Sequence, residues 1–339
     1  MTHDNIEKHQ SDTNAILLSI VLLGIIFHYL NPILKPLLIA IFLYYITRPV
    51  VFLLSKMHIP IVGSYLLLLG LLTFIFFILE ATVFNSISLL QTKIPEYQSV
   101  FQQRVEFLKA NDIGQFLIHV GSDMLNESNT SKWFAWLLET VLGFLKSFAV
   151  VLFYLLFIIF GASKLPQRLQ KAFTKETSQK VMHVSGSINQ CIQKYLLIKT
   201  VISLGTAITS GIVMYFFGID FWLLWTIVIF IANYVPYVGS AIACCFPIAM
   251  GFLQNVELYS LLTLIALLLS TQILWGNVLE PYIAGKHLSI NPLILLFLLA
   301  YWGWLWGTAG MFLAYPLAII TRTVLDNFDE TKPIATLIS

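Results

Sequence analysis

Residues 221–256 decide the fold class of this chain: they read FWLLWTIVIFIANYVPYVGSAIACCFPIAMGFLQNV and contain no Asp, Glu, Lys or Arg. A straight helix of this length would extend about 50 Å, whereas the hydrocarbon core of a bilayer is about 30 Å thick. The run is interrupted at Pro236, which has no backbone N–H, and at Gly239. We therefore expect two apolar half-helices on either side of a break in the segment 233–239.

A second run of the same kind lies near the C-terminus. Residues 287–321 also contain no Asp, Glu, Lys or Arg, and the run is interrupted at Gly303, Gly307 and Gly310. Each half of either run has roughly 12 to 15 residues, which is too short to cross a bilayer. The two runs predict two re-entrant or broken helical hairpins. Two pairs of strongly tilted crossings are the alternative.

The rest of the chain is also poor in charge. Hydrophobic residues make up 58% of the sequence and charged residues 11%, against roughly 25% charged residues in soluble domains. This composition excludes a water-soluble single domain. We predict an all-α polytopic membrane protein, surrounded by the lipid bilayer, with about six full transmembrane helices in addition to the two hairpins. The six spans are expected at residues 13–34, 33–54, 59–79, 147–163, 200–219 and 258–279.

The distribution of positive charge predicts the orientation in the membrane. Segment 164–199 contains seven Lys or Arg residues and one acid, Glu176, so the positive-inside rule places it in the cytoplasm. Counting crossings from there places residues 91–139 outside and both termini in the cytoplasm. The basic segment is expected to end in an amphipathic helix on the membrane surface.

The predicted divisions are transmembrane helices 1–3 (1–82), an extracytoplasmic amphipathic segment (83–140), transmembrane helix 4 (141–163), a cytoplasmic basic segment (164–197), a transport core with broken helices (198–325) and a cytoplasmic tail (326–339).

The two interrupted runs resemble each other. Gly239-Ser240-Ala241 is followed by Phe246-Pro247, as Gly307-Thr308-Ala309 is followed by Tyr315-Pro316. Each run also follows a span of similar length. A repeated unit of one crossing and one hairpin must be inverted relative to its copy, and inverted repeats with broken helices are typical of transporters. Chance similarity between apolar segments is the alternative.

Catalytic and nucleotide-binding motifs are absent from the sequence. It contains no Walker A, GxGxxG, HExxH or GxSxG pattern, and its three cysteines lack metal-binding spacing. The net charge of +2 does not indicate a nucleic-acid partner. We therefore predict a protein that is not an enzyme and has neither a cofactor nor a bound metal.

Polar residues near the breaks are the candidate site, because lipid cannot satisfy the backbone groups that a break exposes. The alternative is that the Asn and Gln side chains near the breaks only cap the ends of the broken helices and have no role in transport. Glu280 is the candidate for ion coupling and Asp220 the second candidate, because an ionised carboxyl inside the membrane is costly. Alternatively, Glu280 pairs with Lys286 and Asp220 is interfacial. The candidate substrate path comprises Asn233, Tyr234, Pro236, Tyr237, Gly239, Gln272, Asn277, Glu280, Pro281, Gly307 and Gly310.

The same residues carry a family resemblance. The sequence resembles the AI-2E family of predicted permeases over nearly its whole length, with its distinctive residues after about Gln190. The resemblance implies a bacterial inner-membrane protein that forms a homo-oligomer. The motifs that carry it are Asn233-Tyr-Val-Pro236-Tyr237-Val-Gly239, Gly276-Asn277-Val-Leu-Glu280-Pro281, Asn291-Pro292-Leu293 and Gly307-x-x-Gly310.

The resemblance also implies a function. Some family members resemble exporters of the quorum-sensing signal autoinducer-2, and others resemble sodium or lithium/proton antiporters. We therefore predict a secondary transporter that exports a small polar solute such as autoinducer-2. A monovalent cation/proton antiporter is the first alternative. A membrane scaffold that binds a partner through residues 91–139 is the second.

Overall fold

The computed structural model describes residues 22, 24, 26–108, 147–161, 165–254, 256–284 and 290–338. All regular secondary structure in these residues is helical. A π-helical segment, Ile273–Leu279, joins the helix Leu258–Gln272 to the helix Glu280–Ala284. The helices are α1 Asn31–Lys56, α2 Ile61–Leu108, α3 Ser147–Gly161, α4 Leu165–Ala172, α5 Lys175–Phe216, α6 Trp222–Ala232, α7 Val238–Leu253, α8 Leu258–Gln272, α9 Glu280–Ala284, α10 Pro292–Trp306, α11 Thr308–Asp326 and α12 Lys332–Ile338.

Length and apolar composition identify the helices that could cross a membrane. Among the described residues five stretches qualify, Asn31–Lys56, Gly63–Ser86, Lys175–Phe216, Leu258–Ala284 and Thr308–Asp326. The prediction of an all-α polytopic membrane protein is therefore confirmed. Four of the five stretches contain or overlap predicted spans. The fifth, α11, was expected to be half of a hairpin, but its 19 residues make it long enough to cross. The predicted fourth span forms the shorter apolar helix α3, and half of the first span lies outside the described residues.

Two helices are longer than the spans predicted from the sequence. Helix α5 has 42 residues and α2 has 48, lengths of about 63 and 72 Å. No proline lies between the amphipathic part of α5 and its apolar part, so the two form one helix. The expectation of a separate surface helix before this span is therefore not met. Helix α2 likewise continues past the predicted end of its span and contains Pro95.

The chain forms two compact units. The first unit comprises Met1–Tyr44, Val150–Asn189 and Ile290–Ser339, and the second comprises Tyr45–Ala149 and Gln190–Ser289. Helices α6 and α7 pack as a hairpin in the second unit, whereas α10 and α11 pack as a hairpin in the first. The two interrupted runs therefore form helical hairpins, each inside its own unit.

The hairpin of the second unit is tightly packed. Its buried residues include Ile229 of α6 and Ala243 of α7, and they pack with Leu264 and Leu268 of α8. A Cβ atom on Gly239 would lie 1.8 Å from the carbonyl oxygen of Ala232, so only glycine fits where the chain reverses. Such close packing is what holds helices together in lipid, where burial of apolar surface gives little driving force.

The hairpin of the first unit has the same kind of turn. The side chain of Asn291 caps α10 by accepting a hydrogen bond of 3.0 Å from the backbone N–H of Leu293. Gly307 joins the two helices at φ 67° and ψ −147°, a conformation that only glycine adopts readily. A Cβ atom on Gly310 would lie 1.8 Å from the carbonyl oxygen of Trp302.

The two turns correspond, although with a different alignment from the one expected. In each hairpin a residue with positive φ precedes the second helix, Tyr237 at 63° and Gly307 at 67°. The glycine in close contact with the first helix follows it, Gly239 in one hairpin and Gly310 in the other. The structural counterpart of Gly239 is thus Gly310, whereas the sequence comparison matched it with Gly307. The inverted relation of the two copies stays a prediction.

Candidate functional site

A stripe of polar side chains runs along one face of α5 in the second unit. Lys199, Ser203, Thr206 and Ser210 follow one another at intervals of four, three and four residues, the spacing of a single helix face. All four are buried. Helix α5 is apolar enough to cross a membrane, so these groups must find their partners within the protein. We call these four residues and Thr200 the polar stripe.

The break between α6 and α7 faces this stripe. The side-chain amide of Asn233 donates to Ser203 Oγ and Thr206 Oγ1, at 3.4 Å each. Thr200 donates its hydroxyl proton to the carbonyl oxygen of Leu196, so Tyr234 must be the donor in its 2.8 Å contact with Thr200. Asn233 and Tyr234 therefore tie the break to α5. The amide of Asn233 does not cap its own helix.

The turn between Asn233 and Val238 contains a strained residue. Tyr237 has φ 63° and ψ −53°, which costs a side-chain-bearing residue about 1–3 kcal/mol. Its side chain is 55% exposed, and its carbonyl oxygen accepts a 3.0 Å hydrogen bond from Ser240 Oγ. Pro236 precedes it and is half-buried. The strain shows that the surrounding packing imposes the shape of this turn.

The π-helical segment Ile273–Leu279 lies against the same helix. Trp275 packs on Gly205, where a Cβ atom would lie 2.3 Å from the indole ring. The indole Nε1 of Trp275 is buried and has no hydrogen-bond partner within the part of the chain that the structure describes. A π-helix of seven residues is rare, and such segments are frequent at functional sites.

Glu280 follows the π-helical segment and forms an ion pair with Lys199. The Lys199 ammonium contacts both carboxylate oxygens, at 2.8 and 2.9 Å. The Lys199 side chain is 5% exposed and that of Glu280 is 29% exposed. The expected partner Lys286 lies outside the described residues. Lys199, which the sequence analysis counted with the cytoplasmic basic segment, is thus buried and neutralised.

Asp220 lies in a separate network, between α5 and α6. Its Oδ2 accepts from the Lys93 ammonium at 2.5 Å and from Tyr97 Oη at 2.8 Å, both on the extension of α2. Its backbone N–H donates to Gln254 Oε1 at 2.9 Å. Burial, the hydrogen bond to Asp220 and the charge of Asp220 raise the pKa of the Tyr97 phenol, which keeps it a donor. We call Lys93, Tyr97, Asp220 and Gln254 the loop clamp.

The structure brings part of the predicted site together. Asn233, Tyr234 and Glu280 all contact the polar stripe. Gln272, Asn277 and Pro281 lie on α8, the π-helical segment and α9, with Gln272 half-buried and the other two exposed. Gly307 and Gly310 belong to the first unit. No cluster of three or more His, Cys, Asp or Glu residues that could hold a metal occurs within the described ranges.

Sequence reasoning missed the polar stripe and Trp275. The stripe had a readable signal, because its hydroxyl residues recur at helical spacing within a run without charge. Trp275 had none, because its contact with Gly205 depends on the π-helical segment. The residues missed are Lys199, Thr200, Ser203, Thr206, Ser210 and Trp275.

Comparison with known proteins gives relatives along the whole chain. A "Putative transport protein" of Borreliella burgdorferi is 30% identical, and the match covers 94% of this chain and 87% of the relative. The "AI-2 transport protein TqsA" of Escherichia coli is 26% identical over 95% of this chain and 93% of the relative. The "Putative transport protein YueF" of Bacillus subtilis is 28% identical over 88% and 85%.

These relatives come from bacteria, and their names describe transport proteins rather than enzymes. The apolar helices of this chain fit a multi-pass protein of the inner membrane. The family model described as "AI-2E family transporter" matches residues 16–330. Since this match covers nearly all of the 339 residues, the chain belongs to the AI-2E family of transporters.

Proposed function

We propose that this chain is a secondary transporter that exports a small polar solute across the bacterial inner membrane, with autoinducer-2 as the first solute to test. Family membership and the similarity to the AI-2 transport protein TqsA support this proposal. The proposal includes cytoplasmic N- and C-termini and a homo-oligomer. It requires no cofactor, since an ion gradient would drive transport.

The observation that carries the proposal is that Asn233 and Tyr234, at the break between α6 and α7, cover the polar stripe of α5. The stripe offers hydroxyl groups and an ammonium group inside a helix long enough to cross the membrane, where polar groups are costly and usually functional. The Asn233 amide holds two of these hydroxyls at 3.4 Å, beyond the usual range of strong hydrogen bonds. A solute with several hydroxyl groups would replace these long contacts with shorter ones.

The strained turn is the element that we propose moves during transport. Strain at Tyr237 lowers the free-energy gap between the observed turn and a second conformation. Hydrogen bonds of Asn233 and Tyr234 join this turn to α5, and breaking them would help to free it. Opening of the turn would expose Ser203 and Thr206 to a solute.

We propose Glu280 as the coupling group, with Asp220 in second place. Glu280 is partly exposed and lies next to the polar stripe, whereas Asp220 is held by the loop clamp. A monovalent cation/proton antiporter would need a carboxylate free to bind the cation, and Lys199 already neutralises Glu280. No observation on the described residues favours a scaffold that binds a partner through 91–139.

Everted membrane vesicles test the proposal, because export from the cell becomes uptake into such vesicles. Vesicles containing the wild-type chain should take up autoinducer-2 when energised, and uptake should stop when the ion gradients are collapsed. Asn233→Ala should lower the initial rate at least about tenfold, through loss of two contacts worth about 1 kcal/mol each. The control Ser270→Ala removes an exposed hydroxyl that donates to the carbonyl oxygen of Ala266 in its own helix, and this variant should transport normally.

Two results would contradict the proposal. One is the absence of gradient-dependent uptake of autoinducer-2, of a panel of small polyols and of a panel of small hydroxy acids by correctly inserted wild-type protein. The other is an equal rate for Asn233→Ala and Ser270→Ala, which would remove the polar stripe from the transport path.

A further inference from the structure

We infer that Lys199 binds an anionic group of the transported solute, and that the Glu280 carboxylate occupies the place of that group in the empty transporter. The inference rests on the proposed function and narrows its solute class to small hydroxylated anions. It assigns a binding role to a lysine that the charge pattern alone places at the membrane surface.

The geometry of the ion pair is that of a bound carboxylate. One ammonium nitrogen contacts both oxygens of Glu280, at 2.8 and 2.9 Å. The Lys199 side chain is almost completely buried, whereas the Glu280 side chain is 29% exposed. Glu280 therefore covers Lys199, and the site is approached from the side that the carboxylate now occupies.

A buried ammonium group cannot be left without a counter-charge. Removing one partner of a buried ion pair is strongly destabilising, because it leaves an uncompensated charge inside the protein. Glu280 therefore leaves Lys199 at the lowest cost when another anion replaces it. This exchange would keep the empty transporter closed and would open it only for a solute that carries negative charge.

Glu280 is the partner better able to move. Lys199 lies within the 42-residue helix α5, whereas Glu280 lies near the end of the helical stretch Leu258–Ala284, directly after its π-helical segment. Pro281 follows and contributes no backbone N–H, so the turn that carries Glu280 has one hydrogen bond fewer than a regular helix. The carboxylate can swing away while the ammonium stays in place.

Hydroxyl groups beside Lys199 define the rest of the solute. Thr200 is the next residue of the polar stripe, and its hydroxyl contacts the Tyr234 phenol at 2.8 Å. Both groups can bond to a hydroxyl near the anionic group of a ligand. A small α-hydroxy acid is the simplest molecule with this combination, so lactate serves as the probe and its neutral isostere lactamide as the comparison.

The test uses the full chain in lipid nanodiscs and measures thermal unfolding with lactate or lactamide. Glu280→Gln removes the internal carboxylate, so lactate should raise its Tm by about 5 °C at a concentration about 100 times Kd. Lactamide should leave its Tm unchanged. The double variant Lys199→Met, Glu280→Gln should respond to neither. Asp220→Asn is the matched control, because it frees Lys93, which is 39% exposed and should not hold the probe.

Several results would overturn the inference. These are equal responses of Glu280→Gln to lactate and lactamide, no response to either, or a response that persists in the double variant. If Glu280→Gln cannot be isolated, Glu280→Ala leaves a space the size of the lost carboxylate. Acetate but not acetamide should then restore the yield of folded Glu280→Ala, and recovery with both or with neither rejects the inference. The proposed function fails separately, through the absence of flux by the wild-type chain.

Discussion

Single residues in the second unit set how closely its helices approach one another. Gly205 leaves the space that the Trp275 ring occupies, and Gly239 leaves the space for the carbonyl oxygen of Ala232. In both places a larger side chain would separate the polar stripe from its partners. The site therefore depends on residues that carry no polar side chain.

Gly205→Ala should destabilise the protein by about 1–3 kcal/mol, because the new methyl group overlaps the Trp275 ring. The thermal midpoint of the purified protein should fall accordingly. Gly70→Ala is the control, since a Cβ atom there meets nothing within 4 Å and alanine favours the helix. A Gly205→Ala protein as stable as Gly70→Ala would show that Trp275 does not pack tightly on α5.

The sequence predicted an apolar span at residues 200–219 but not the ion pair between Lys199 and Glu280. A lysine beside a basic segment is normally exposed, and the partner of Lys199 lies 81 residues further along the chain. No local pattern joins two such residues. In contrast, the polar role of Asn233 and Tyr234 followed from their place next to Pro236, because a break inside an apolar run must have its backbone groups satisfied.

At the scale of elements, the breaks were predictable and the continuous helices were not. Helix α6 ends at Ala232 and α7 begins at Val238, as Pro236 and Gly239 indicated. The length of α2 was hidden because its polar C-terminal part resembles a separate segment. The π-helical segment has no sequence signature, since it depends on how Trp275 packs against its neighbour.

Pro236→Ala should lower the rate of transport while the protein inserts at normal levels. Alanine supplies a backbone N–H and permits helix at Val235, so the turn between α6 and α7 would tend to become helical. Uptake by everted vesicles, normalised to the amount of inserted protein, measures the effect. A wild-type rate would show that the break is a passive kink.

The loop clamp joins α2 to the connection between α5 and α6, and a charge exchange tests it. Lys93→Asp should destabilise the protein, because it places two acids together. The double variant Lys93→Asp, Asp220→Lys should recover part of the loss, with a coupling energy of about 0.5–3 kcal/mol from thermal unfolding of all four proteins. If the two single effects simply add, Lys93 and Asp220 do not stabilise each other.

At the scale of the whole molecule, the distribution of charge and apolar windows predicted the class of protein. The composition alone excludes a soluble domain, and five helices within the described ranges are long and apolar enough to cross a membrane. The division into two units could not be predicted, because each unit combines segments far apart in the chain. Contacts between such segments depend on packing that no local pattern records.

The predicted orientation is tested with two exposed positions. In a background with the three cysteines replaced by alanine, cysteine at Lys171 should react with an impermeant maleimide only from the cytoplasmic side. Cysteine at Gln103 should react only from the outside, because it lies on the α2 extension beyond the predicted span. Labelling of both positions from one side would refute the predicted topology.

The ion pair between Lys199 and Glu280 also has a consequence for biosynthesis. The ribosome adds Lys199 to the chain before Glu280, which lies 81 residues further along. At ordinary rates of translation this is a delay of about 4–16 s. During this interval α5 enters the membrane with an unpaired lysine, at a cost of about 2.5–3.5 kcal/mol if the charge lies at the centre of the bilayer. Arrival of the segment that carries Glu280 removes this cost, so the complete ion pair should stabilise α5 in the bilayer further. Insertion of α5 is in this way coupled to a segment that is made later.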